Sequence, residues 1–347
     1  MGKLYTRRDF LKISALGLGA LAFTPYEGPG RTVESGQVVR VATHQVSVYS
    51  RPSDKSTILY QRRRDELVNI YEEVISPEGP VYNPRWYRVW RGYVHSAHLQ
   101  KVEAHLNQTA SEILKGGQLA QVSVPYTQAM NYVAYQKAWE PIYHLYYESN
   151  HWITGVEEGP DGTPWYQLHD ELLEIKYLVP AAHMRIIPPE EFSPISPDVN
   201  PADKRIEVSI TRQHLKAFEK DKLVLETAVS TGVYDSHLSG SPIQTDTPAG
   251  EFHVFSKMPS KHMGDGRVTS DIEAYELPGV PWTTFFVDTG VAIHGTYWHQ
   301  NFGTRMSRGC VNVPTEIAKW VFRWTNPVSA PGTWEQRGYG TVVQVIP

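Results

Sequence analysis

The 347-residue chain carries one cysteine, Cys310, in the run Ser307-Arg308-Gly309-Cys310-Val311-Asn312, with His294-Gly295-Thr296 upstream. A thiolate is the strongest side-chain nucleophile near neutral pH, and imidazole is the usual base that generates one. The pair therefore predicts covalent acyl chemistry. Gly309 leaves room for backbone N–H groups to face a substrate, and two or three such amides would form an oxyanion hole. Taken singly, a lone Cys is more often a small inert hydrophobe and a His before Gly a turn residue. Found together here, they favour catalysis. Ser307 reads as a loop-ordering hydroxyl, because Thr304-Arg305-Met306 precede it and no Gly-x-Ser-x-Gly elbow is present. His253, His262 and His299 lack helical ligand spacing and a clear carboxylate partner. They read as scattered loop histidines rather than a metal site.

Several elements must position that pair. Val291-Ala292-Ile293 reads as a buried strand ending at His294. Ile206-Glu207-Val208-Ser209-Ile210 alternates as a half-buried strand should, and Lys222-Leu223-Val224-Leu225 and Val229-Ser230-Thr231-Gly232 follow it. In Thr247-Pro248-Ala249-Gly250-Glu251-Phe252, Pro presets one turn dihedral and Gly supplies the other, which predicts a turn into a strand. Thr315 can cap a helix carrying Ile317, Trp320, Val321 and Trp324, stopped by Asn326-Pro327, with the tryptophans in the core. Thr341 to Ile346 reads as a closing strand. Frequent Gly and Pro, 12% aromatics and few long amphipathic helical patterns predict a mainly β chain.

Taken in order, these motifs resemble the L,D-transpeptidase family, the YkuD-like cysteine enzymes. The family pattern is His-Gly-(Thr/Ser), a loop, then (Ser/Thr)-x-Gly-Cys-hydrophobic-(Asn/Arg). The resemblance spans about residues 204–347, and Arg308 stands where a second histidine is frequent. It implies a YkuD-like β-sandwich with a short helix after the nucleophile. It also implies Cys310 as nucleophile, His294 as base and the Gly295 carbonyl as the group orienting the imidazole. The amides of Arg308, Gly309 and Cys310 would form the oxyanion hole. Ser307, Arg308, Asn312, Tyr297 and Trp298 are candidate substrate contacts. The implied partners are peptidoglycan stem peptides as donor and acceptor, with carbapenem-type β-lactams as covalent inhibitors and no cofactor.

The N-terminal half reads differently. Thr6-Arg7-Arg8-Asp9-Phe10-Leu11-Lys12 has the twin-arginine form, Ile13 to Phe23 is too short to span a bilayer comfortably, and Ala20-Leu21-Ala22 offers a cleavage site. Residues 1–22 are therefore expected to be a signal peptide. That places the protein in the periplasm or cell wall and in the membrane only during export; an uncleaved anchor is the alternative. A lone thiol in an oxidising compartment strengthens the case for a chemical role.

Residues 36–190 look internally repeated. Trp86-Tyr87-Arg88-Val89 with Tyr93 to Leu99 is one copy, and Trp165-Tyr166-Gln167-Leu168 with Leu178 to Met184 is the other. The copies are similar to bacterial SH3-like β-barrels, at 36–104 and, more divergent, at 105–190. They would bind wall or peptide through aromatic clefts, or act as a spacer that positions the catalytic domain. Ser111 to Lys115 reads as a short connecting helix and residues 191–203 as a stiff Pro-rich linker. Net charge −4 gives no footprint for nucleic acid. Three other functional readings stay open: an L,D-carboxypeptidase at the same site, a papain-like peptidase and a non-catalytic wall-binding scaffold. His preceding Cys argues against the peptidase, and the intact His, Gly and Cys set argues against the scaffold.

Overall fold

Short β-branched and aromatic runs, punctuated by Gly, Pro and Asp, fold into strands throughout the computed structural model, which describes residues 37–233, 245–264 and 276–347. The signal peptide expected at 1–22 lies outside the described residues. Among the described residues no helix is long and apolar enough to cross a membrane.

The first module contains β1 (Val38–Val41), β2 (Gln45–Tyr49), β3 (Ile58–Arg63), β4 (Leu67–Asn69), β5 (Glu72–Ile75), β6 (Arg85–Val89), β7 (Gly92–His95) and β8 (Leu99–Val102). They form a five-stranded sheet, β3-β2-β7-β6-β5, and a three-stranded sheet, β4-β1-β8. The second module contains β9 (Gln118–Val122), β10 (Tyr126–Val133), β11 (Ala138–Tyr146), β12 (Asn150–Glu158), β13 (Pro164–Asp170), β14 (Ile175–Pro180) and β15 (Met184–Ile186). Its single sheet runs β11-β10-β14-β13-β12-β9-β15.

The two strand orders correspond. Strand β12 pairs with both β9 and β13 across a bulge at Ile153/Gly155, which is what β4 and β5 do separately in the first module. A 3-10 turn precedes the last strand of each, Ser96–His98 and Ala181–His183. The repeat is one topology used twice. Its Trp-Tyr pairs do not form clefts: Trp86, Tyr87, Trp165 and Tyr166 are all buried, because successive strand residues are covered on both faces here. Residues 111–115 form no helix; they run as an irregular segment whose Ile113 packs on the second module's core.

The third region contains β16 (Lys204–Ser209), β17 (His214–Glu219), β18 (Lys222–Ala228), β19 (Gly250–His253), β20 (Ser256–Gly264), β21 (Glu276–Phe285), β22 (Ala292–Gly295), β23 (Val311–Val313), helix α1 (Thr315–Trp324), β24 (Gln336–Arg337) and β25 (Val342–Ile346). Two five-stranded sheets result, β18-β17-β16-β25-β19 and β23-β22-β21-β20-β24. Ile206, Val208, Leu215, Val343 and Val345 from one sheet share a core with Trp282, Ile293, Val311 and Val313 from the other. This is the expected β-sandwich. Burying each such side chain contributes about 1.5–3 kcal/mol.

Helix α1 lays Ala318, Val321, Phe322 and Trp324 onto that core. Pro314, not Thr315, occupies its N-cap, and Thr315 is the first helical residue. At its other end Lys204 Nζ donates to Trp324 O (3.0 Å) and Lys257 Nζ to Thr325 O (2.9 Å), so two buried ammonium groups satisfy terminal carbonyls. Burial pushes the Lys257 pKa down to about 7. The Pro-rich segment is not a free spacer. Phe192 and Ile187 enter the sandwich core, and Ile195 N–H bonds Arg323 O.

Candidate active site

Strands β22 and β23 run parallel, with Ile293 opposite Val311 and His294 opposite Asn312. Alternation sends Ile293, Val311 and Val313 into the core and turns His294 and Asn312 to the other face. Carrying the register back one residue sets Cys310 beside Ala292, and the thiol donates to Gly290 O at 3.8 Å. Base and thiol therefore come from neighbouring strands and share one face.

His294 is 1% exposed, and its Nδ1 lies 3.0 Å from Gly295 O. A carbonyl only accepts, so the proton is on Nδ1 and the Nε2 lone pair is available. Burial pushes the His294 pKa down to about 4, against the opposing effect of that bond. Cys310 keeps a partly exposed side chain, yet the enclosure of its thiol pushes the pKa up to about 11. At neutral pH the resting pair is a neutral imidazole and a thiol.

The turn before Cys310 is pinned from behind. Gly309 adopts φ 109°, a left-handed value suited to glycine. Thr247 Oγ1 donates to Gly309 O (2.7 Å) and accepts from Gly232 N–H (2.9 Å). A Cβ on Gly232 would come within 2.3 Å of Thr245 O and 2.8 Å of Gly309 N, so only glycine fits there. Ser230 exchanges both backbone bonds with Asn312, at 3.0 and 2.9 Å, and Ser307 N–H reaches Thr231 O. Gln213 Nε2 donates to Thr231 Oγ1, and Gln213 Oε1 accepts from Thr231 N–H.

By sequence alone Thr247 opens a turn, Ser230-Thr231-Gly232 lies in a run after the first strand, and Gln213 carries no role. Their occurrence as ordered polar clusters beside Gly was the available signal. Which loop they hold was not in it.

The expected substrate contacts separate. Arg308 is exposed and Trp298 half-buried, with its ring 5.7 Å from that of His294. Asn312 is 1% exposed, its carboxamide 2.9 Å from His299 Nε2. Tyr297 is buried with its hydroxyl donating to Pro278 O, and buried Ser307 donates to Cys310 O. These three are buried and bonded to protein groups. The histidines set aside as loop residues are also corrected. His253 is on β19 and His262 on β20, and His262 and His299 are buried. His262 bridges Asp170 and Glu276, both at 2.5 Å.

Residues 203–345 match the family model of the L,D-transpeptidase catalytic domain, YkuD. This region is similar to a YkuD-type catalytic domain. No curated protein matches the chain. Among solved structures, the Ldtfm–avibactam carbamoyl enzyme is 29% identical, covering 42% of this chain and 49% of that one, with TM-score 0.30. A variant of the Enterococcus faecium L,D-transpeptidase is 28% identical over 42% of this chain and 50% of that one, TM-score 0.30. The Mycobacterium smegmatis L,D-transpeptidase is 19% identical over 50% and 74%, TM-score 0.33. The chain spans about half the length of the first two.

Proposed function

We propose that the protein is an exported cysteine L,D-transpeptidase acting on peptidoglycan stem peptides through a thioester. The observation that carries this is the His294 Nδ1 to Gly295 O bond. It frees Nε2 as a base on the face that Cys310 shares, inside a domain matching the YkuD family.

Cys310 Sγ attacks the carbonyl of the donor peptide's diamino acid as its proton passes to His294 Nε2. The C–S bond forms, and amides of Arg308, Gly309 and Cys310 hold the oxyanion. The C–N bond to D-alanine breaks, and His294 protonates the departing amine. An amine of a second stem peptide then attacks the thioester, losing a proton through His294 as the sulfur leaves. Because thiol and imidazole are neutral at rest, proton transfer accompanies attack. Water in place of the amine would give L,D-carboxypeptidase activity. The twin-arginine run at Arg7-Arg8 supports export to the periplasm or cell wall.

The test is purified protein with a disaccharide-tetrapeptide, products identified by mass. Crosslinked dimer is expected, lost in folded Cys310→Ala. A carbapenem should leave one adduct, on Cys310. Wild-type turnover by Cys310→Ala would overturn the mechanism. Hydrolysed tripeptide alone would make the protein a carboxypeptidase.

A further inference from the structure

We infer that the cavity between the first module and the start of helix α1 is a site for an alkylammonium group, with Glu148 and Glu316 as its anionic ligands. The cavity alone argues for the ammonium; that it is the free side-chain amine of a stem peptide rests on the proposed reaction.

The cavity measures about 530 Å³. The first module, the turn between β11 and β12, the loop after His294 and the first turn of α1 each supply a wall. These walls are tied to one another. Gln100 Nε2 donates to Tyr147 O (2.8 Å), next to Glu148. Gln300 N–H bonds Ala97 O (2.9 Å), and Asn83 Nδ2 donates to Asn301 Oδ1 (3.2 Å). Glu148 itself adopts φ 66°, a left-handed value that favours Gly or Asn, with its N–H fixed on Val122 O (2.9 Å).

The charges on the lining select a cation. Arg85 and Lys101 both bind Glu73, at 3.2 and 3.0 Å. Glu148 and Glu316 also line the cavity, and among the described residues neither has a Lys or Arg partner. Burial pushes the Glu148 pKa up to about 7 against the opposing effect of Thr315, and the charges of Glu316 and Glu103 add to the rise. A bound cation would relieve both the burial and the repulsion. Thr296, 7% exposed and on the same lining, has a buried hydroxyl without a hydrogen-bond partner. An ammonium carries three donors and no acceptor, which suits two carboxylates and a hydroxyl. Ile75 and Tyr82, 61% and 49% exposed on the lining, can take the methylenes behind it. A metal ion fits less well: among the described residues no group of three His, Cys, Asp or Glu side chains converges to hold one.

The site stands apart from the thiol. Strands β22 and β23 are parallel, and Cys310 precedes β23 whereas Thr315 follows it. An amine held beside Thr315 is therefore not the one that attacks the thioester; it anchors a stem peptide at a distance from the reaction.

The experiment measures binding to the full chain carrying Cys310→Ala, which removes turnover. The probes are Nα-acetyl-lysine amide and its Nε-acetylated form, which lacks the ammonium. The first should bind about tenfold more tightly than the second. Glu148→Gln should weaken the first about tenfold, the size of one charge-assisted hydrogen bond. Glu148→Asn, which suits the left-handed backbone, should do the same and guards against a Gln variant that misfolds. Glu316→Gln, at an exposed position, should cost roughly threefold. Affinity should rise from pH 6 to pH 8 as Glu148 ionises, since the lysine amine stays charged throughout. No binding, equal binding of the two probes, or full affinity in both Glu148 variants would overturn the site. Probe binding by a chain whose parent neither crosslinks nor hydrolyses stem peptides keeps the site and removes the proposed reaction. Turnover by the parent without probe binding keeps the reaction and removes the site.

Discussion

The two N-terminal modules share a strand order but grip different parts of the catalytic domain. The first holds the loop between His294 and Cys310 through Arg40, Asn83 and Ala97. The second holds the β20–β21 hairpin. Asn150 Nδ2 donates to Pro259 O and Asn150 O accepts from Ser260, while Asp170 and Glu171 bind His262 and Lys261. Trp152 stacks on Trp334 with centroids 4.7 Å apart. The first grip is mostly single hydrogen bonds to backbone and amide groups around one buried arginine. The second is a buried charge network with an aromatic stack. One topology is set against two different surfaces, and surfaces, not strand order, set what a module does.

The largest effect should come from the second module. His262→Ala removes the cation between Asp170 and Glu276 and leaves two carboxylates facing each other in a buried setting. Breaking such a pair costs about 3–5 kcal/mol, to be read by denaturant unfolding. A loss below about 1 kcal/mol would remove the proposed stability role.

Arg40→Met keeps volume but strips Tyr297 O and Gln100 of a donor and leaves Asp65 with His144 and Tyr146. About 2–4 kcal/mol of stability should go. A fall in kcat of about tenfold, near 1.4 kcal/mol of barrier, is expected as well, whereas His262→Ala should change kcat less. The reverse order of the two kcat effects would break the comparison. Asn83→Ala, loosening one point of the loop, should cost only about 1 kcal/mol and lower kcat less than Arg40→Met.

The pH response should differ by region too. Hydrogen bonds and charge interaction with Asp170 and Glu276 raise the His262 pKa, outweighing burial. Its stabilisation is fully present below the unfolded-state value near 6.5 and is lost as pH rises through the higher folded value. The stability gap between wild type and His262→Gln should therefore narrow on the alkaline side. A gap that widens there contradicts the assignment. His294 has the opposite sign, with its folded pKa near 4, so below about 6.5 the unfolded state takes up the proton first and stability falls toward pH 4.

The smallest perturbation is a pH titration of thiol reactivity. Alkylation by iodoacetamide should climb steadily from pH 6 to 9, because the Cys310 pKa is near 11. A plateau below pH 8 would mean a preformed thiolate–imidazolium pair.

Much of the catalytic domain was legible because its signals are local. Alternation marked β16 and β25, the apolar run before His294 marked β22, and helical spacing marked α1, though Pro314 took the cap expected of Thr315. The site was legible as two residue types in a spacing. Asn312 and Tyr297, expected as substrate contacts, are buried and bonded to His299 and Pro278 O, partners that no local pattern announces. The Trp-Tyr repeat revealed a shared topology but not that both aromatics are covered.

The sequence by itself determined the chemistry on offer, one thiol in a Ser-x-Gly-Cys run and one imidazole at the end of an apolar strand, because backbone periodicity and side-chain reactivity are properties of short segments. Only the tertiary structure decided that both groups rest neutral, that Thr247 and Ser230 hold the nucleophile turn, and that Arg40, 257 positions away in the chain from Tyr297, supports its loop. Burial and hydrogen-bond partnership are set by what the rest of the chain brings alongside, and no local pattern encodes it.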